Sequence, residues 1–235
     1  MKTPLQPIRG FTLLELLVVI GLIAGMTFLL FGGLTGANKA MALQSAQATV
    51  ANLVTAARTK APATNRKTRL LINADPGQPE RYFCFLVLQV ARQSGSSPTD
   101  WDTVQTTTLP PETYVVPATL AGLVANAADW KRVTDPSADI VSDVLASQAL
   151  SYRLDGDASA QLWSGLAFTP NHTLAALSGG PPPKGEMVIA PGRLRVPGSY
   201  ADGQPPVELT NPQSVRGLVL SAYGVPALLN SRSAF

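Results

Sequence analysis

Cysteine and histidine each occur once in the 235 residues, as Cys84 and His172. A single cysteine excludes any intramolecular disulfide and any cysteine-rich zinc site. The single histidine stands in the loop-like "TPNHTL", where a turn role is more ordinary than a catalytic one. Cys84 sits between Phe83 and Phe85 in a strand pattern and reads as a packed residue rather than a nucleophile. No Gly-x-Ser-x-Gly elbow, P-loop or His-Glu-x-x-His motif occurs, so hydrolase, nucleotide-binding and zinc-protease chemistries have no starting point. Charge is scarce as well: 14% of residues, with a net of +3, too little to argue for a nucleic-acid partner by itself. What is abundant points elsewhere. At 46% hydrophobic the chain is not generally disordered, and 20 prolines with 19 glycines imply many turns and strand ends rather than a helical bundle.

One apolar run stands out. In "IRGFTLLELLVVIGLIAG", Ile8 to Gly25, a carboxylate at Glu15 is planted near the front, and from Phe11 to Leu34 it is the only charged side chain. A charge at the centre of a membrane helix costs roughly 2.5–3.5 kcal/mol on insertion scales and less near an end. The run from Phe11 to Leu34 meets the ~20 residues a helix needs to cross a bilayer. It can be read as a plain membrane anchor, with Lys2 and Arg9 on the inner side. It can be read as a secretory signal ending near Ala40-Met41-Ala42, although such an h-region is usually ~7–15 residues and carries no glutamate. Neither reading gives Glu15 a purpose.

A third does. "RGFTLLELLVVI" resembles the N-terminus of type IV prepilins and type II secretion pseudopilins: basic leader residues Lys2 and Arg9, Gly10 before a cleavage point, Phe11 after it, and Glu15 fifth in the mature chain. The resemblance implies cleavage between Gly10 and Phe11 by a prepilin peptidase and N-methylation of Phe11. It also implies that the new amine on Phe11 of an incoming or neighbouring subunit pairs with Glu15, because a buried carboxylate is tolerable when paired. A Glu15 that merely snorkels toward headgroups is the plainer alternative. Gly21-x-x-x-Gly25 and Gly32-x-x-x-Gly36 have the spacing that lets helix backbones pack closely; Gly32-Gly33 can equally mark a weakened turn.

Beyond Gly36, Leu43, Ala46, Val50, Leu53 and Ala57 recur at helical steps, with Gln44, Gln47, Asn52, Thr55 and Arg58 as the polar remainder. This predicts an amphipathic continuation ending before Pro62, in all a helix of about 75 Å at 1.5 Å per residue. The rest is β-rich. "KTRLLIN", "RYFCFLVLQV", "TYVVP", "LSYRL", "GLAFTP", "EMVIA", "GRLRVP" and "VRGLVLSAYG" read as strands, with "ADPGQPE" a turn between the first two. "DPSADIVSDVLASQAL" reads as a short helix capped by Asp135 with Pro136 at its first position. The fold class expected is therefore α+β, a long hydrophobic then amphipathic helical spine packed against a β-rich head. Its divisions are a leader at 1–10, an apolar half-helix at 11–36, an amphipathic half at 37–61, and a head at 62–235 with a helical insertion near 118–150. Within the family, "LPPETYVVP", "GLAFTPNHTL" and "VRGLVLSAYGVPALLN" resemble H-type, FimT-like minor pseudopilins, although Asn171-His172 replaces a glycine turn and Gly224-Val225 lacks an arginine.

Two weaker patterns carry chemistry. "LDGDASAQ" places Asp155 and Asp157 like the opening of a calcium loop, but Ala160 and Leu166 stand where glycine and a bidentate glutamate belong. "RTKAPATNRKTR" gathers Arg58, Lys60, Arg66, Lys67 and Arg69, the groups that would touch phosphate in DNA or lipid. It has no interleaved aromatics, and loss of the leader leaves 16 basic against 15 acidic side chains. The resemblance implies a non-enzymatic filament subunit without cofactor, anchored once in the inner membrane with a periplasmic head and then assembled into a periplasmic or surface fibre for secretion. Its partners would be other pilin or pseudopilin subunits, the peptidase, an inner-membrane assembly platform with its separate ATPase, and lipid before assembly. A competence or adhesion pilin capturing DNA through the basic turn is the alternative. A membrane-tethered enzyme centred on Asp155, Asp157 or His172 is a third.

Overall fold

The computed structural model describes residues 12–93, 100–201 and 203–235, and for 27–37 the backbone alone. The chain divides into two compact units, Met1–Lys39 and Ala40–Phe235, each described by itself. The leader 1–10, with Lys2, Arg9 and Gly10, and the proposed new N-terminus Phe11 lie outside the described residues, as do the surroundings of Gly32 and Gly36.

Among the described residues there is one α-helix, α1, Leu13–Thr64. In the first unit its side chains from Leu13 to Met26 are exposed one after another, from 83% at Leu13 to 65% at Met26. In the second unit, Leu43, Ala46, Val50, Leu53, Val54, Ala57 and Ala61 are buried. These positions recur at three- and four-residue steps and form one continuous stripe. The helix does not end before Pro62, as the proline suggests, but runs through it to Thr64. In this last turn a missing N–H costs a single bond. Asn65 then turns left-handed at φ 53°, its N–H donating to the Pro62 carbonyl and that of Arg66 to the Ala61 carbonyl.

Eleven strands follow among the described residues. They are β1 Thr68–Asn73, β2 Phe85–Ala91, β3 Trp101–Thr108, β4 Thr113–Val115, β5 Ala149–Tyr152, β6 Gln161–Phe168, β7 Leu174–Ala175, β8 Gly185–Leu194, β9 Val207–Leu209, β10 Arg216–Leu220 and β11 Pro226–Leu229. One antiparallel sheet runs β3-β2-β1-β6-β5 with β7 also on β6; the other runs β11-β10-β8-β4 with β9 also on β8. The stripe on α1 packs in one core with Leu70 and Ile72 of β1, Leu86 and Leu88 of β2, and Met187 and Ile189 of β8. Alternation sends Leu71 and Val87 to the other face of the first sheet, where they join Leu154 and Trp163 in a second cluster. Gly165 on β6 faces Leu71 on β1, and a Cβ there would run into the Leu70 carbonyl, so only glycine allows this strand pair to close.

Three expectations are corrected. The fold is not a long apolar spine carrying a β head. It is mostly β, and of α1 only the stretch from Leu43 onward gives side chains to the core. Among the described residues no helix is long and apolar enough to cross a membrane, so the transmembrane segment and the single pass through the inner membrane with a periplasmic head are withdrawn. The described apolar side chains, Thr12 to Met26, fall short of the ~20 residues a crossing needs. The helical insertion near 118–150 is not a helix either. It holds two 3-10 turns, Ala127–Trp130 and Asp143–Leu145. Asp135 does not cap a helix: its Oδ1 accepts from the Ser137 N–H in a turn. The following N–H groups go to distant partners, Ile140 to the Trp130 carbonyl and Ser142 to that of Pro117. Arg132 fastens the segment to β8, lying 2.9 Å from the Glu186 carboxylate and 2.5 Å from that of Asp143.

Gln47 on α1 stands where the sequence suggests an outward polar face, yet it is 2% exposed. Its Nε2 donates to the carbonyls of Gly217 (2.8 Å) and Leu229 (2.9 Å), and its Oε1 accepts from Arg216 Nη1 at 3.2 Å. Removing it strands buried acceptors on β10 and β11. Gln47→Ala is expected to lose about 1–3 kcal/mol in denaturant unfolding, against less than ~0.5 kcal/mol for an ordinary surface change.

Candidate functional sites

Glu15 lies one turn into α1, where its N–H bonds the Thr12 carbonyl at 3.1 Å and the Thr12 hydroxyl at 3.3 Å. That is a local start to the helix and leaves the carboxylate exposed, with no partner for it among the described residues. Gly21 and Gly25 lie on the same exposed stretch, and a Cβ at either would meet nothing within 4 Å. From Leu13 to Met26 the helix thus presents bare apolar surface on every side, with one carboxylate and two open glycines.

The five basic residues do not share a face. Arg58, on the helix side of the first sheet, donates from Nε to the Tyr223 carbonyl at 2.7 Å. Lys60 is on the same helix and Arg66 just past its end, both half-buried. Strand alternation takes Thr68 to the helix, where its hydroxyl donates to the Ala57 carbonyl, and turns Lys67 and Arg69 to the opposite side of the sheet. Arg69 is 4% exposed. Its Nε donates to Gln89 Oε1 at 2.7 Å, and its guanidinium lies between two rings, 4.0 Å from the centre of Trp101 and 4.2 Å from that of Tyr152. Burial pushes Arg69 down to about 10, with Tyr152 working in the other direction. Beside it opens a cavity of about 400 Å³, lined in part by Lys67, Arg69, Trp101 and Leu177. The sequence marks the basic residues but not this partition, because a run of charges says nothing of which alternate along a strand.

The other candidates resolve into structural roles. Asp157 pairs with Arg81 at 3.1 Å and accepts from Gln161 Nε2, which in turn links to Asn73. Asp155 is exposed, and among the described residues no group of acids, histidines and cysteines could hold a metal ion. His172 is an exposed turn residue in the left-handed region at φ 61°. Cys84 is buried, and its thiol donates to the Glu80 carbonyl at 3.2 Å. Among the described residues these candidates do not bring a nucleophile, a base and an orienting group together. None of the protein-family models, curated proteins or solved structures compared with the chain matches it.

Burial pushes the Cys84 thiol up to about 11 from an ordinary 9.0, and the Tyr82 and Tyr114 hydroxyls up to about 12 from 10.0. The unfolded chain therefore ionises first. Their contribution to stability is complete below pH 9 and is lost as pH rises from 9 toward 11 and 12. Denaturant midpoints should fall across that window and fall less in Cys84→Ala. At about pH 8 a thiol reagent should label Cys84 only on unfolding, whereas immediate labelling of the native chain would contradict the burial.

Proposed function

We propose that the chain is a structural, non-enzymatic subunit of a pilus- or pseudopilus-like filament, of the minor pseudopilin kind, serving protein secretion. The observation that carries this reading is the exposure of every apolar side chain described from Leu13 to Met26 except the two glycines' empty faces. A helix apolar all round needs cover on all sides, and an exposed patch of this extent marks an interaction surface. Matching helices of neighbouring copies supply that cover, since each brings the same surface and the same open glycines.

Within such a bundle Glu15 requires a cation. The amine released on Phe11 by cleavage after Gly10 is the natural one, and the family resemblance makes an incoming or neighbouring copy its source. Pairing offsets the cost of burying the charge. The β-rich second unit then serves as the part that meets solvent or other subunits. DNA capture through residues 58–69 has less support, as Arg69 is buried and Arg58 is bonded to Tyr223.

Mass spectrometry of the protein from its own cells should give a chain that begins at methylated Phe11. Glu15→Ala should leave processing intact and stop incorporation into fibres. A retained leader, or a Glu15→Ala protein that assembles like the parent, would sink the reading.

A further inference from the structure

The cavity beside Arg69 has an unbalanced lining. Lys67 and Arg69 contribute to it, with Trp101, Leu150, Leu177 and Ala175, and no aspartate or glutamate does among the described residues. Arg69 is buried without a carboxylate: its Nε has only the neutral Gln89 amide oxygen, and its Nη2 is shielded from solvent with no hydrogen-bond partner. Two aromatic faces offset part of the cost of burying a guanidinium, and the Tyr152 hydroxyl interacts favourably with it, but Nη2 is still left without an acceptor. Buried cations are ordinarily paired, and an unpaired buried donor is the exception that asks for a missing acceptor. The stacking also fixes the plane of the guanidinium before any ligand arrives, so little order remains to be imposed on binding.

We propose that this cavity binds a carboxylate carried on a short apolar body, with the carboxylate seated on Arg69 and the body against Trp101, Leu150 and Leu177. About 400 Å³ is the size of a small-ligand pocket, and the lining mixes apolar side chains with Lys67, Arg69 and Ser178, which can set orientation. Carboxylate is favoured over a larger anion because the site sets one buried planar guanidinium among apolar side chains, with Lys67 as its one other cation, rather than a cluster of exposed cations. The source is either a free short-chain acid or the C-terminal carboxylate of a peptide, which share this chemistry. The proposal stands independently of the filament reading.

The test is calorimetric titration of the full-length protein with 4-methylpentanoate and with its amide, then with the tripeptide Ala-Ala-Leu carrying a free or an amidated C-terminus. The acid forms should bind at least about tenfold more tightly than the amides, because only they make a charge-assisted pair with Arg69. Arg69→Gln should abolish the difference between acid and amide. Ala175→Leu, which narrows the cavity with Arg69 untouched, should weaken both acid forms and keeps the test open if Arg69→Gln fails to fold. Binding of 4-methylpentanoate alone assigns the site to free acids, and binding of the peptide acid assigns it to chain termini. Equal binding of acid and amide, or no binding of either acid, would overturn the proposal.

Discussion

The second unit depends on one constraint, the burial of a single helical stripe from Leu43 to Ala61 against both sheets at once. Neither sheet closes the core by itself. The first offers Leu70, Ile72, Leu86 and Leu88, the second Met187, Ile189 and Leu218, and the helix fills the space between them. Burial of large apolar side chains is worth roughly 1.5–3 kcal/mol each, so this stripe is a main source of stability. Small residues at Ala46, Ala57 and Ala61 let the backbones approach. There the few buried polar groups act: the Thr68 hydroxyl reaches the Ala57 carbonyl, and Gln47 holds the β10–β11 pair.

Docking of that stripe also decides what the other face of the first sheet becomes. With Thr68, Leu70 and Ile72 turned to the helix, alternation commits Arg69, Leu71 and Asn73 to the far side. Leu71 finds Trp163 and Val87, Asn73 finds Gln161, and Arg69 is left between Trp101 and Tyr152 with one nitrogen unanswered. The cavity is thus a by-product of strand register. A one-residue slip of β1 would exchange the two faces and destroy it.

Strands with alternating or continuous apolar patterns are legible in the sequence: β1, β4 and β10 fall within stretches so read, β2, β5 and β6 overlap such stretches, and β8 joins two that read as separate strands. β3 is not, because "WDTVQTTT" is mostly polar, with only Trp101 and Val104 apolar. It lies at a sheet edge with most side chains exposed, where no hydrophobic signal is needed. The expected helix at 135–150 failed because its donors answer carbonyls far away in sequence, at Trp130 and Pro117, which periodicity does not encode. The spine fold failed on proportion, since an apolar pattern at the front of the chain outweighed a long, weakly patterned β region behind it. Of the candidate site residues, Glu15, Gly21 and Gly25 lie exposed together on one helix, whereas the basic run is divided between two sides of a sheet.

The first unit poses the opposite physical problem. Where the second hides a stripe, Leu13 to Met26 leaves its apolar side chains uncovered, with one carboxylate among them. In the filament proposed above, copies of the same helix would provide the cover. The most direct measurement is cysteine cross-linking in the protein's own cells, with Cys84→Ala as background and single cysteines placed at Leu16, Val19 or Leu22 around the helix. At least one position should yield covalent pairs of copies on oxidation. Only single chains from all three positions, with the protein present in full, would contradict it.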